Sequence, residues 1–126
     1  MPFPIVDFVI RVHVPNTTDA TNQIVASLPY DCKLVSVRAR HRVASTSGTI
    51  NIVKSASGTS VASGTTMLTA TMSNAGTADT NVDGSLKTGI GDMTVPQGSS
   101  IGILFAGTLT NLLDLDITIV VRQLKK

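Results

Sequence analysis

Charged and aromatic side chains are scarce in this sequence, and each scarcity argues against a class of function. Only 14% of the residues are charged, and the 10 lysines and arginines barely outnumber the 8 acidic residues. Nucleic-acid binders concentrate far more basic residues, so we expect no nucleic-acid partner. Tryptophan is absent and aromatic residues make up 3% of the chain, which disfavours a sugar site built on stacked rings.

Cysteines and uninterrupted apolar runs are also few. Cys32 is the single cysteine, which excludes an internal disulfide and predicts a small buried hydrophobe, with a reactive thiol as the alternative. No secretory leader is evident, because Asp7 interrupts the apolar N-terminal stretch. The uncharged runs 55–78 and 93–113 contain too much Gly, Ser, Thr or Pro to cross a bilayer. We therefore expect cytoplasmic synthesis and no membrane partner.

Apolar and hydroxyl-bearing residues are abundant instead. The 126 residues, 42% of them hydrophobic, are enough for one buried core, so we expect a single domain over residues 1–126. Serine and threonine fill roughly a quarter of the chain. A surface with little charge indicates a protein that is partly covered in an assembly. A monomer with a hydroxyl-rich β surface is the alternative.

Apolar and polar residues alternate with a period of two, which predicts strands. The pattern is clearest at 35–43, where an apolar face that includes His41 opposes a face carrying three arginines. Residues 49–54 follow a Ser47-Gly48 turn signal and are predicted to pair with 35–43 as a hairpin. The remaining predicted strands are 6–14, 23–28, 81–86, 93–95, 100–106 and 116–124.

About eight short strands separated by Gly and Pro signals predict an all-β fold, a single-domain β-sandwich. A jelly roll is the favoured version, because it builds two packed sheets from long-range strand pairs. The segment 55–78 is predicted to be an ordered connection with one helical turn near 65–69. Its large apolar anchors are Met67, Leu68 and Met72.

Three stretches of the sequence resemble a family of small tailed-phage virion proteins, which includes capsid decoration (cement) proteins of short-tailed phages. They are KLVSVRARHRVASTSGTINIVK at 33–54, SGTSVASGTTMLTA at 57–70 with GTADTNVDGSL at 76–86, and VPQGSSIGILFAGTLTNLLDLDITIVV at 95–121. These are patterns of a fold rather than of a chemistry. The sequence departs from the family pattern where Gly98 is followed by Ser99 and Ser100, and at Leu113-Asp114.

The resemblance implies a homotrimer that binds the major capsid protein at the capsid surface of a virion. On that view the chain is made in the host cytoplasm and stabilises the expanded head. Two other functions remain open: a host-receptor or carbohydrate-binding module, and a tail or neck structural component. In an oligomer, neighbouring subunits are expected to cover the sheet edges.

Arg38, Arg40 and Arg42 are the most distinctive candidate site residues. Alternation places them in a row on one strand face. We interpret the row as an interface to an acidic surface, because a guanidinium group makes bidentate contacts with carboxylates. A solvated strand face with weak ion pairs is the alternative.

The N-terminal residues 1–4 are predicted to form an extended arm. Phe3 lies between two prolines, one of them Pro4, and prolines reduce the entropy lost when an extended segment docks. We therefore include Phe3 and Pro4 among the candidate interface residues. A frayed terminus is the alternative.

No catalytic, cofactor or metal site is predicted. His41 is expected to be a hydrogen-bonded, partly buried histidine, because the only other histidine is His13 and neither has ligands at metal spacing. The aspartates do not follow a calcium-loop pattern, although Asp114 and Asp116 fall on one strand face. No nucleophile elbow or phosphate-binding glycine loop occurs, so we do not expect an enzyme.

Overall fold

The computed structural model describes residues 6–124, and strands dominate this part of the chain. The strands are β1 (Asp7–Asn16), β2 (Gln23–Ser27), β3 (Cys32–Val43), β4 (Thr49–Ser55), β5 (Thr65–Thr66), β6 (Met72–Ser73), β7 (Val82–Asp83), β8 (Thr94–Val95), β9 (Ser100–Ala106) and β10 (Leu113–Gln123). A short helix, α1 (Ile90–Met93), and 3₁₀ turns at Thr17–Asp19 and Val61–Ser63 are the helical elements of the described residues.

The strands pair in a nested order, in which the first strand pairs with the last and later strands pair progressively further inside the sequence. β1 pairs with β10, β2 with β9, β3 with β7 and β8, and β4 with β5 and β6, always antiparallel. Successive pairs alternate between two sheets. The first sheet has the order β1-β10-β3-β7 and the second has the order β2-β9-β4-β5. This is a long antiparallel ribbon rolled into two sheets, a jelly roll, and the predicted all-β sandwich is confirmed.

The core lies between the inward faces of the two sheets, where apolar side chains alternate with outward polar ones. The predicted apolar anchors of the 55–78 segment, Met67, Leu68 and Met72, are buried in this core. The largest side chains that are at most 1% exposed are Leu34, Leu115, Ile117 and Ile119 from the first sheet and Ile50, Ile52, Ile101 and Ile103 from the second.

The alternation predicted for β3 holds in its second half and shifts in its first. Val37, Ala39 and His41 are buried between exposed neighbours. The pairing register with β10 then changes between Val120 and Val121, and Leu34 rather than Val35 enters the core. A β-bulge has this effect, because one extra residue on a strand reverses the side that later residues face.

The predicted hairpin of 35–43 with 49–54 is wrong, because β3 and β4 lie in different sheets. The N–H groups of residues 45–47 donate to the carbonyls of Asn74, Thr110 and Thr108 rather than across a turn. A tight two-residue hairpin needs positive φ in its turn, and neither residue of the Ser47-Gly48 signal has it. The segment therefore crosses from one sheet to the other.

The helical turn predicted near 65–69 is also wrong. Thr65 and Thr66 form β5 and pair with β4, and the Met67 N–H continues this pairing by donating to the Ile52 carbonyl at 2.8 Å. The helical turn of this segment lies earlier, at Val61–Ser63. A short apolar stretch does not by itself distinguish a helical turn from an extended one.

The turn before β9 supplies a test of backbone strain. The Ser99 N–H donates to the Pro96 carbonyl at 3.0 Å, and Gly98 has a φ of +84°. We expect Gly98→Ala to destabilise the fold by about 1–2 kcal/mol, because a Cβ disfavours the left-handed region. No atom lies near enough to clash with that Cβ, so the loss measures strain alone.

Gly91→Ala is the matched control, because Gly91 lies in α1 with equally open space around it. Thermal unfolding of the two variants should show a lower Tm for Gly98→Ala and an unchanged or slightly higher Tm for Gly91→Ala. Equal Tm values for the two variants would contradict the strained-turn explanation.

Candidate interaction surfaces

The outward side of the first sheet, which we call the charged face, collects most of the lysines and arginines of residues 6–124. Alternate residues of β1, β10 and β3 project from it, because the inward set fills the core. Its cations are Arg11, Lys33, Arg38, Arg40, Arg42 and Arg122, and they are interspersed with Asp7, Asp83, Asp114 and Asp116.

The second sheet is nearly uncharged. Of the residues in β2, β4 and β9, Lys54 alone carries a charge. Its ammonium group donates to the carbonyls of Thr94, at 2.8 Å, and Gly91. The outward surface is partly covered by the 3₁₀ turn at Val61, whose side chain lies against Gly102. The two sheets therefore present surfaces of opposite character.

The arginine row predicted from the sequence projects from the charged face, but its three members differ in their contacts. Arg38 donates to both carboxylate oxygens of Asp83, at 2.7 and 3.3 Å, and this hydrogen bonding lowers the pKa of Asp83. Arg42 donates to Asp114 at 2.5 Å. Arg40 forms no hydrogen bond or ion pair with another described residue. Two of the three charges are thus compensated and one is not.

The carboxylate opposite Arg40 is contacted by a histidine of β1 instead of by Arg40. Asp116 lies across from Arg40 in the β10–β3 ladder, yet it contacts the Nδ1 atom of His13 at 3.0 Å. His13 also lies 3.6 Å from Asp114. The two aspartates that the sequence placed on one strand face are therefore held by His13 and Arg42 and do not form an acid–base pair.

Arg11 is a functional candidate that the sequence argument missed. It lies on β1 opposite Thr118 of β10, and Arg38 lies opposite the same threonine on the other side. Like Arg40, Arg11 makes no hydrogen bond or ion pair within residues 6–124. Arg11 falls on the same side of the alternating strand as the polar residues Asp7 and His13, and this indicates an outward position. The pairing register, which the sequence does not give, is needed to place it beside Arg40.

A shallow depression lies between these arginines. Its volume is about 170 Å³ and its lining includes Arg11, Arg38, Arg40, Asn81, Asp116 and Thr118. The other ion pair of the face, between Arg122 and Asp7, lies at the opposite end of β10, with N–O distances of 2.7 and 3.3 Å. That hydrogen bonding lowers the pKa of Asp7.

A second surface, which we call the apolar edge, is formed by the neighbouring edge strands β1 and β2. Each of these strands is paired on one side, and they contact each other across the two sheets. Phe8 continues the inward row of Ile10 and Val12 yet is 45% exposed. Val9 projects outward from the first sheet and Ile24 outward from the second, and they are 60% and 57% exposed. Large apolar side chains beside unpaired strand edges are typical of a surface that another chain covers.

Phe3 and Pro4 lie outside the described residues. The interface role predicted for this arm therefore stays a prediction.

His41 and Cys32 have structural surroundings. His41 is 1% exposed, and its Nε2 atom lies 2.9 Å from the Gly76 carbonyl oxygen, so the predicted buried, hydrogen-bonded histidine is confirmed. Cys32 is 3% exposed, and burial together with the nearby Asp31 raises the pKa of its thiol. This confirms the buried-hydrophobe interpretation, because a protonated, shielded thiol reacts poorly.

Residues 6–124 contain neither a metal-binding cluster nor a helix that could span a membrane. No group of three or more His, Cys, Asp or Glu side chains is arranged to hold a metal ion. No helix in the same residues is long and apolar enough to cross a membrane.

Comparison with family models and with curated proteins gives no match for this chain. Among solved structures, a chain of the cyanophage Pam1 capsid asymmetric unit is 16% identical, with a TM-score of 0.47 over 95% of this chain and 85% of that chain. A chain of the disulfide-linked pili of Bacillus endospore appendages is 18% identical, with a TM-score of 0.44 over 95% and 88%.

A chain of the infectious bursal disease virus Gx strain is 9% identical, with a TM-score of 0.48 over 97% of this chain and 33% of that chain. At these identities and TM-scores the alignments carry no argument about function. The jelly roll rests on the strand order of this chain.

Proposed function

We propose that this chain is a structural virion protein that decorates and stabilises the expanded capsid of a tailed phage. In this proposal it binds the major capsid protein at the capsid surface as a homotrimer. The observation that carries the proposal is the apolar edge, where the ten-residue strand β1 is paired on one side only within residues 6–124. The sequence resemblance to phage decoration proteins and the low charge of the chain add support.

The apolar edge supports self-association for two reasons. An open strand edge offers unpaired N–H and C=O groups to another chain, and proteins that remain monomeric usually protect such edges with charge or proline. Strand β1 carries Asp7, Arg11 and Pro15, yet large apolar side chains, Phe8, Val9 and Ile24, are also exposed beside the edge. In a three-fold ring each subunit places one surface on a different surface of the next, so three copies would cover all three edges.

The charged face supports binding to a second protein. Charges of both signs alternate across it, and such a pattern specifies a partner and an orientation more than it adds affinity. A trimer with its apolar edges covered would still present three copies of this face. Binding through several copies strengthens attachment to a regular lattice without any new kind of contact.

Stabilisation of the head would follow from linkage. A protein that binds the expanded lattice and not the unexpanded one lowers the free energy of the expanded state. Decoration of many lattice positions multiplies this effect. No catalytic step is needed for the function.

The trimer can be tested with single substitutions at the apolar edge. We expect the protein to have a solution mass of three times 13.1 kDa, measured by light scattering. Phe8→Ser and Ile24→Ser should each weaken assembly by about tenfold or more, because each removes roughly 1.5–3 kcal/mol of apolar burial.

Ile90→Ser is the matched control, since Ile90, at 87%, is the most exposed large apolar residue of the described part of the chain and lies in α1 rather than in β1 or β2. It should leave the mass unchanged. A monomeric unmodified protein would contradict the trimer, and equal weakening by all three substitutions would contradict the assignment of the edge.

The proposed arm has its own test. Deletion of residues 1–4, which removes Phe3 and Pro4, should lower the dilution resistance of the trimer if the arm docks on a neighbouring subunit. The measurement is the solution mass over a dilution series down to nanomolar protein. Trimers that persist at nanomolar dilution after the deletion would contradict a docking role for the arm.

The capsid role is tested on heads from which the protein has been stripped. We expect the protein to bind expanded shells and not unexpanded ones, and to raise the temperature at which expanded shells break. Sedimentation measures the binding and calorimetry measures the breakage. Binding without a change in breakage temperature would leave decoration and remove stabilisation. A monomer that ignores both shells would contradict the proposal and favour a host-binding or tail component.

A further inference from the structure

Two guanidinium groups on the charged face are left without a partner by the strand pairing. Arg38, Arg42 and Arg122 each donate to an aspartate. Arg11 and Arg40 form no ion pair and donate no hydrogen bond to a group in residues 6–124. Most surface arginines need no partner other than water, so these two are notable for their positions rather than for their lack of partners.

Arg11 and Arg40 flank the same strand from opposite sides. β1 and β3 both pair with β10, and Arg11 lies opposite Thr118 whereas Arg40 lies two residues further along, opposite Asp116. Two strand spacings of about 4.8 Å and an offset of two residues at about 3.4 Å each put the two arginine backbones roughly 12 Å apart across β10. Both line the depression of about 170 Å³, with the amide of Asn81 at its side.

A second, larger depression does not offer the same chemistry. It has a volume of about 330 Å³ and lies beside β3, with Lys33, Lys87 and Arg122 in its lining. Lys87 donates to the hydroxyl of Thr66 at 3.1 Å and Arg122 is paired with Asp7. Its single guanidinium group is therefore already paired, and its other two cations are ammonium groups, which lack the planar fork that matches a carboxylate.

We infer that the depression between Arg11 and Arg40 binds a pair of carboxylates from an acidic segment of a partner protein. A free guanidinium fork matches a carboxylate in a bidentate contact, and two forks on backbones about 12 Å apart suit two acidic side chains of one segment. Arg38 lies beside Arg40 on β3, directly across β10 from Arg11, and its charge is compensated by Asp83. It supplies shape to the site and no net attraction.

The surrounding aspartates select a protein carboxylate over a nucleic acid. Asp116 is part of the lining, Asp83 pairs with Arg38 beside it, and Asp114 lies one outward position further along β10. A nucleic-acid backbone carries closely spaced phosphates and needs a continuous basic surface. The interspersed aspartates repel such a backbone, whereas two separate side-chain carboxylates need only the guanidinium groups of Arg11 and Arg40.

The inference deepens the proposed function and, in naming a capsid partner, rests on it: the partner surface on the shell would carry two acidic side chains at this spacing. The carboxylate site itself concerns this chain alone. It can therefore be tested without a capsid.

The first test uses the capped peptide Glu-Gly-Glu as the probe, with the Nε–Hε signals of the arginines followed by NMR. The Arg11 and Arg40 signals should shift on titration, and those of the paired Arg42 and Arg122 should not. The capped peptide Gln-Gly-Gln and added NaCl at equal ionic strength are the controls. Equal shifts with the glutamine peptide, or uniform shifts of all arginines, would overturn the site.

Variants then separate the site from general charge. Arg11→Gln and Arg40→Gln should each weaken peptide binding, and the double variant should weaken it by roughly fivefold, given the modest worth of exposed ion pairs. Lys33→Gln removes one equally unpaired charge from the same face and should have little effect. Thermal unfolding should be unchanged in all of them, because no described contact is lost. Equal weakening by Lys33→Gln would overturn the proposal.

Asp83→Asn gives a change in the opposite direction. It releases Arg38 from its ion pair and should strengthen peptide binding by about twofold. Asp7→Asn releases Arg122 at the other end of the face and is the matched control. A gain with Asp7→Asn equal to that with Asp83→Asn would show that net charge, rather than this site, attracts the peptide.

Two further measurements separate the inference from the proposed function. If the unmodified protein binds expanded heads and Arg11→Gln/Arg40→Gln binds them equally well, the inference fails and the proposed function stands. If the peptide titration succeeds and no head binds the protein, the proposed function fails and the carboxylate site stands. Tighter binding of a single-stranded oligonucleotide than of the peptide would overturn the choice of a protein partner.

Discussion

The pairing of β10 with both β1 and β3 is the constraint on which the rest of the structure depends. β10 is the last strand, and it lies between the first strand and the longest one. Its inward residues Ile117, Ile119 and Val121 are at most 1% exposed. The pairing closes the ribbon that rolls into two sheets, and its pairs with β1 join residues up to 115 positions apart. Contacts so distant in sequence cost loop entropy before they stabilise anything.

The same strand fixes the surface through the alternation that fixes the core. A slip of one residue against β3 would turn Ile117 and Ile119 outward and drive charged residues into the core, at a cost far above that of any surface ion pair. The core therefore sets the register, and the register in turn decides which charges meet. Arg42 meets Asp114 and Arg40 faces an aspartate already held by His13. The free cations are a consequence of core packing.

The sequence predicted the strands and the sandwich well, because alternation is a local signal. It misplaced the β3–β4 connection, since two strands with the right alternation carry no mark of which sheet each will join. The arginine row was visible for the same local reason. The division of the row into paired and unpaired arginines was not visible, because Asp83 is 45 positions from Arg38 and only the register brings the two residues together. Arg11 was missed because its relation to Arg40 passes through a third strand.

The low charge of the chain has a spatial explanation that composition alone could not supply. The charges are concentrated on one sheet, while the strands of the other sheet carry Lys54 alone. The charged fraction of 14% for the whole chain therefore describes neither surface. Apolar burial gives an interface most of its affinity and charges give it orientation. A molecule with an apolar edge beside a patterned charged face separates the two contributions, so the same chain can join its copies by one surface and select a partner by the other.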